Sequence, residues 1–252
     1  MIKISAVSSL THPGHVADEN QDAIYCCPSN NYWLLADGIG GTQGGKLASE
    51  IAISSLSELL PTTTLRDAAS LTQQKLLTHQ KQQSLYQDMG TTVVMAQLAR
   101  HSYNLAWLGD SRIYNYTIKQ QSLEQLSRDH SVVQDMLERG EINSEKAANH
   151  THKHIINRFL GMKHSHVEID SRKFRPIHDG VLLLCSDGVT DYVSEHKIQS
   201  IMTSTGELDL CLQKLQQSLL ATAARDNFSI IMVAYELSIA TKLINWASIF
   251  RK

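Results

Sequence analysis

The chain has 252 residues, 42% hydrophobic and 19% charged, which suits one large domain with a substantial core and excludes a disordered chain. A formal net charge of -2 offers no basic footprint for nucleic acid, and no window approaches the roughly 18 apolar residues of a membrane-spanning helix. Cys26, Cys27, Cys185 and Cys211 form no C-x-x-C pair and read as reduced thiols, and the polar N-terminal stretch is no secretory signal, so a cytoplasmic protein is expected.

Along the chain, Ile2, Ile4 and Ala6 alternate with Lys3 and Ser5, the period of a half-buried strand, and a polar turn follows over 11–21. Residues 22–27 and 32–36 read as two strands joined through Pro28-Ser29-Asn30-Asn31. From Gly44 the period changes: Leu47, Ile51, Ile53, Leu56, Leu59 and Leu60 mark a helix that Pro61 stops. A second helix, rich in Gln, Leu and Lys, is predicted over 65–87, with its glutamines on a solvated face. Strands are predicted over 91–99, 103–108 and 113–118, and short helices over 131–139 and 144–148. Residues 167–174 alternate again, and Val181 to Cys185 is a continuous apolar run suited to a strand buried on both faces. Helices over 195–202 and 208–224 and a last strand over 229–235 follow. Blocks of strands and helices without regular βαβ alternation predict an α+β sandwich of mainly antiparallel sheets.

Two segments share one design. The apolar run Trp33 to Ala36 ends in Asp37-Gly38, and the run Val181 to Cys185, followed by Ser186, ends in Asp187-Gly188. A strand holds the carboxylate rigidly, and a glycine after it gives the backbone freedom to turn a carbonyl toward a ligand. Two more acidic segments, Gly109-Asp110-Ser111-Arg112 and Arg225-Asp226-Asn227, stand beside predicted strands. Either Asp-Gly pair alone is also an ordinary turn signal. If these aspartates cluster, their mutual repulsion requires compensation, and a site of oxygen donors suits Mg2+, Mn2+ or Ca2+.

The ordered motifs resemble the PPM (PP2C-like) family of metal-dependent serine/threonine protein phosphatases, in its compact bacterial form, over about residues 3–236. Asn20-Gln21-Asp22 resembles the family's N-[EQ]-D, and Ala36-Asp37-Gly38-Ile39-Gly40-Gly41 its A-D-G-x-G-G, followed by Gly44-Gly45 and Ala48-Ser49. Gly90-Thr91-Thr92, Gly109-Asp110-Ser111-Arg112, Leu126-Ser127-Arg128-Asp129-His130-Ser131, Ser186-Asp187-Gly188 and Asp226-Asn227-Phe228-Ser229 match the remaining motifs in family order.

The resemblance implies a layered α-β-β-α sandwich of two mainly antiparallel sheets flanked by helices. The phosphatase domain would span 1–236, with a small flap at about 132–160 and a C-terminal helical extension over 237–252. Asp37 would bridge two metal ions, Asp187 and Asp226 would complete the first site, and the Gly38 carbonyl would ligate the second ion. Asp22 would hold metal-bound water in an outer position. Asp110 with Asp187 resembles the pair that holds a third, weaker ion. Two or three Mn2+ or Mg2+ ions are thus implied, with a water shared by two of them as the nucleophile toward phosphoserine or phosphothreonine. Asn227 would orient the ligand loop, although it equally suits a simple turn; Arg112 and Asp129 read as structural. The implied partner is a phosphorylated protein, a bacterial kinase or its target, and the chain is expected to act as a monomer.

The chain departs from the family at Ala17, where an arginine usually binds substrate phosphate; His15 is a candidate substitute. Gln21 replaces a metal-ligating Glu of some members, and Ile39 stands where eukaryotic members carry a histidine proposed as general acid. The run His150-x-His152-x-His154 reads as a surface segment of the flap, or else as a metal or phosphate contact. The tail residues Leu237, Ala240, Leu243, Ile244, Ala247 and Ile249/Phe250 have helical spacing, with Trp246 and a basic Arg251-Lys252 end. This helix would pack on its own sheet or dock on a membrane or partner. No C-x5-R loop or G-K-[ST] ending supports a cysteine phosphatase or a nucleotide cradle. Two further readings share the motifs: a catalytically weak phosphoprotein-binding regulator, favoured by Ala17, and a hydrolase of small phosphoesters.

Overall fold

A computed structural model describes residues 1–39, 41–148, 150–163 and 167–249. Gly40 of the glycine-rich motif and the tail residues Phe250, Arg251 and Lys252 lie outside the described residues. The chain opens with β1 (Ile2–His12), β2 (Asp22–Cys27) and β3 (Tyr32–Ile39), then helices α1 (Gly41–Leu59) and α2 (Leu65–Gln82). Strands β4 (Gly90–Thr91), β5 (Val93–Leu98), β6 (Tyr103–Leu108), β7 (Arg112–Thr117) and β8 (Ser122–Gln125) follow. Next come α3 (Val132–Glu138), α4 (Ser144–Ala148), β9 (Asp170–Phe174), β10 (Gly180–Cys185) and the one-turn α5 (Asp187–Thr190). Helices α6 (Glu195–Ser204) and α7 (Leu208–Leu220), strand β11 (Phe228–Leu237) and helix α8 (Ile239–Ile249) complete the order.

Two sheets form, ordered β1-β11-β10-β7-β8 and β2-β3-β5-β6-β9, with β4 paired to β3, and their strand pairs are antiparallel. Strand periodicity explains the continuous apolar runs. On β10, Leu182 and Leu184 point into the core between the sheets, while Val181, Leu183 and Cys185 pack under α6 and α7. On β3, Trp33 and Leu35 enter the same central core, and Leu34 and Ala36 pack under α1 and α2. Three apolar layers therefore separate helices, sheet, sheet and helices, the α-β-β-α sandwich expected from the motifs.

Several elements differ from the sequence expectations for physical reasons. Strand β1 runs to His12, through residues expected to form a turn, because it pairs with β11 from Ile2↔Leu237 to His12↔Phe228. Strand β8 carries the polar residues Ser122, Glu124 and Gln125 at a sheet edge, so no apolar pattern announces it. Helix α2 ends at Gln82, and Gln83 is extended ahead of a 3-10 turn at Ser84–Tyr86.

The glutamines of α2 are not all solvated. Gln73 and Gln80 are buried. The Gln80 amide donates to the Met89 and Gly161 carbonyls at 2.7 Å each, and Gln73 accepts from the Gly161 N–H at 2.6 Å. They bind the segment that returns to β4, where Leu160 pairs with Thr91.

Helix α8 packs against its own domain, but with polar residues inward. Asn245 donates to the carbonyls of His101 and Pro176 at 2.9 and 2.7 Å, and the N-terminal amine of Met1 donates to Thr241. Leu243 and Trp246 are 63% and 56% exposed, so the apolar spacing of this helix does not mark its buried face.

Replacing Gln80 with Leu leaves two buried carbonyls without their donor. Gln80→Leu is expected to lower unfolding free energy by about 1–3 kcal/mol in urea titrations, while exposed Gln82→Leu changes it by less than about 0.5 kcal/mol. Equal effects at both positions would contradict this role for Gln80.

Candidate active site

The two sheets bring together carboxylates that lie far apart in the chain. Asp22 and Asp37 face one another as paired residues of β2 and β3. Asp187 lies two residues after β10, at the first residue of α5, and Asp226 lies two residues before β11, the strand next to β10. Asp110 occupies the tight connection between β6 and β7, one strand from each sheet.

Hydrogen bonds fix these positions. The Asp37 carbonyl accepts from the Thr92 N–H and the Thr91 hydroxyl, both at 2.8 Å, and Thr92 Oγ1 stands 2.8 Å from Ser111 Oγ beside Asp110. The Ser186 hydroxyl donates to Asp22 Oδ2 at 2.8 Å and accepts from the Ser229 N–H at 2.9 Å. Asn227 Oδ1 accepts from the Gln21 N–H at 2.7 Å, and Asn227 Nδ2 donates to the carbonyls of Pro13 and Glu19. Ser186 and Asn227 thus tie the ends of β10 and β11 in one sheet to the start of β2 in the other. Asn227 acts as a cross-link rather than a simple turn residue.

The glycines after Asp37 and Asp187 are explained by space rather than by turns. A Cβ on Gly38 would lie 2.2 Å from the Gly45 carbonyl oxygen, and one on Gly188 would lie 1.9 Å from the Asn227 carbonyl oxygen. Neither glycine is in the left-handed region that only glycine adopts readily. Each allows a neighbouring backbone to pass against the aspartate-bearing strand end.

The electrostatics oppose full ionisation. Burial, then the charges of Asp187 and Asp226, push Asp22 up to about 7 despite hydrogen bonds from Ser229 and Ser186. Burial and the charges of Asp226 and Asp191 push Asp187 up to about 6. Asp37 is held well above the ordinary carboxylate range by burial and by Asp22, Asp187, Asp110 and Asp226. Asp110 is raised by burial and by Asp187 and Asp129. Oδ1 of Asp22 and Oδ1 of Asp110 are buried and accept no hydrogen bond among the described residues. Uncompensated carboxylate oxygens, without sulfur or nitrogen among these five side chains, fit a hard divalent cation.

Other sequence candidates occupy different roles. Arg112 makes a two-pronged contact with Asp129, Nε at 3.0 Å from both oxygens and Nη2 at 2.7 Å from Oδ2, and also meets Tyr114 and Glu195. It is a structural clasp. Ala17 presents only a methyl group, and the candidate substitute His15 turns its Nε2 to the Leu220 carbonyl at 3.0 Å. Of the histidine run, His154 reaches the Asp191 carboxylate, with Nδ1 3.2 Å from Oδ2, while His150 and His152 meet edge to face. Asp191 was not singled out by sequence, because its place depends on the single turn of α5.

The chain is similar to known protein phosphatases in sequence and fold. Residues 14–221 match the family described as protein phosphatase 2C. The chain is 32% identical over 215 residues to the serine/threonine phosphatase stp of Listeria welshimeri, covering 81% of this chain and 84% of that protein. The crystal structure of serine/threonine phosphatase Stp1 from Staphylococcus aureus superposes with a TM-score of 0.84 at 29% identity, over 93% of this chain and 96% of that one. At 24% identity, the catalytic domain of the phosphatase PstP, crystallised with two manganese ions, shares the fold with a TM-score of 0.81 over 94% of this chain and 100% of that one.

The raised carboxyls set a pH dependence of metal-free stability. Each holds its proton more tightly folded than unfolded. The stabilisation is therefore complete below the ordinary carboxylate range and is lost as pH rises through about 6 for Asp187 and about 7 for Asp22. The chelated protein is expected to melt at a lower temperature at about pH 8 than at about pH 5, and saturating Mn2+ to shrink that difference. A chelated melting temperature that does not fall over this interval would contradict the repulsive cluster.

Proposed function

Because the chain belongs to the protein phosphatase 2C family and is a serine/threonine protein phosphatase, we propose that Asp37, Asp187 and Asp226 carry its metal-dependent chemistry. In this reading Asp37 and the Gly38 carbonyl face two ions, Asp187 and Asp226 complete the first site, and Asp22 orders water at its edge. Asp110, with Asp187, supplies a third position. The proposed complement is two or three Mn2+ or Mg2+ ions. The observation that carries this reading is the crowding of five aspartates, two of them with buried oxygens that have no partner among the described residues.

Divalent cations there would supply Lewis acidity and bring the pKa of a coordinated water toward neutrality, giving a hydrolytic nucleophile without a serine or cysteine. The protein contributes rigidity. Thr91 and Thr92 hold the Asp37 backbone, Ser186 directs Asp22, and Asn227 fixes the loop bearing Asp226, so the donors converge without reorganising on binding. Ser186 occupies one Asp22 oxygen and the other has no partner among the described residues, which favours a water-ordering role over direct ligation.

The substrate is a phosphorylated protein, and we extend the reading to a bacterial serine/threonine kinase or its target, acted on by a monomer in the cytoplasm. The names of the relatives support the substrate class. No described helix is long and apolar enough to cross a membrane. The phosphatase domain is assigned to 1–236, the segment 132–160 acts as its flap, and α8 forms the extension. A second reading, a catalytically weak phosphoprotein-binding regulator, rests on Ala17 and on the engagement of His15 elsewhere.

Phosphate release from a phosphothreonine peptide with Mn2+ tests both readings. Turnover is expected in the wild type, abolished by chelator, and lowered about 100-fold or more by Asp187→Asn. No release by the folded, Mn2+-loaded wild type, with release restored by Ala17→Arg, would favour the regulator.

A further inference from the structure

We infer that helix α8 docks on an anionic lipid surface through its outward face, with the phosphatase domain standing above the bilayer. That face is apolar where a helix on a domain in water is ordinarily polar. Ile239, Leu243, Ile244 and Trp246 are between 50% and 79% exposed. Ile239, Leu243 and Trp246 follow the i, i+4, i+7 spacing of a single helical stripe. By contrast, α2 and α7 each present one exposed large apolar side chain, Leu71 and Leu210, and the other described helices none.

The inward side explains why the helix keeps this orientation. Thr241 and Asn245 are buried. The Thr241 hydroxyl accepts from the Met1 amine at 2.6 Å and lies 3.0 Å from His101 Nδ1, while the Asn245 amide serves the two carbonyls already described. Rolling the helix to bury Leu243 would strand these groups, so the apolar face is left for another surface to cover.

Charge selects that surface. Leu243 and Trp246 share a hollow with Lys119, His178 and Lys242, and no acidic side chain lines it among the described residues. The nearby Asp179 carboxylate is already engaged, accepting from the Leu237 N–H at 2.7 Å and from Lys242 Nζ at 2.9 Å. In sequence, residues 237–252 hold Lys242, Arg251 and Lys252 and no acidic residue. Apolar side chains with a tryptophan among them, flanked by cations, match the boundary between acyl chains and anionic headgroups. The position also leaves the chemistry accessible. Helix α8 follows the end of β11, whereas Asp226 precedes its start, and a ten-residue strand spans roughly 30 Å. The carboxylate pocket therefore stays open, facing phosphoproteins held off the membrane surface. The docking itself does not depend on the catalytic reading.

The test is co-sedimentation of the full chain with vesicles of phosphatidylcholine alone or with about 30% phosphatidylglycerol. Binding is expected to the anionic vesicles, with a partition coefficient lowered at least about 10-fold by Leu243→Glu or Trp246→Glu. Lys119→Glu and added salt are expected to weaken it several-fold, and Leu85→Glu, exposed elsewhere, to leave it unchanged. Trp246→Phe is expected to keep binding but lose the blue shift of tryptophan emission, because Trp33 and Trp107 are buried. Wild type that stays in the supernatant with anionic vesicles would overturn the docking, as would pelleting that Leu243→Glu and Lys119→Glu leave unchanged. Sedimentation velocity without lipid separates the other occupants. A dimer that Leu243→Glu abolishes, without vesicle binding, would assign the face to a second copy, and a monomer that binds no vesicle would assign it to another protein; either result overturns lipid docking.

Discussion

The structure turns on the mutual repulsion of carboxylates that the fold will not let separate. Asp22, Asp37, Asp110 and Asp187 sit at strand ends or tight connections, and all four have their protons held above the ordinary range. A flexible loop would relax such a cluster by turning its side chains to water. Here the backbone cannot yield: β3 and β10 are packed on both faces, and Ser186 and Asn227 bind the sheets to each other at the site. The central core between the sheets therefore does more than stabilise the domain. It holds negative charge in a geometry that, in the proposed metal site, a divalent cation would relieve, so that stability given up without metal would return as affinity for metal.

The same logic orders the surroundings. The segment that returns through Leu160 to β4 is bound by the buried amides of Gln73 and Gln80, and β4 in turn carries Thr91 against the Asp37 carbonyl. A helix two layers from the pocket thus helps to place a pocket aspartate. On the other side, α5 projects Asp191 toward the loop bearing His154. Ala17 presents only a methyl group where the family resemblance implies a phosphate-binding guanidinium, so in the proposed reading charge neutralisation would fall on the cations.

Much of this was legible in the sequence where one physical rule governs a segment. The apolar runs ending at Asp37 and Asp187 announce strands with two buried faces because each alternate residue enters a different layer. Edge strand β8 was not legible, because a polar strand at a sheet edge has no apolar period to display. The buried glutamines of α2 and the inverted face of α8 were also hidden. In both, polar side chains find backbone carbonyls contributed by distant segments, such as Gly161 for Gln80 and Pro176 for Asn245. The aspartate motifs resembled a family, but their convergence is a property of strand order, with β10 beside β11 and β2 beside β3. Asp191 gains significance only through the turn of α5, and His154 only through the pairing of its loop with Ser131.

The most direct test of the central claim is anomalous scattering from crystals of the protein grown with Mn2+. The account predicts ions seated among Asp37, the Gly38 carbonyl, Asp187 and Asp226, with the unpartnered oxygens of Asp22 and Asp110 turned toward them or their waters. Mn2+ peaks lying elsewhere, or a pocket whose aspartates pair with protein donors and hold no ion, would contradict it.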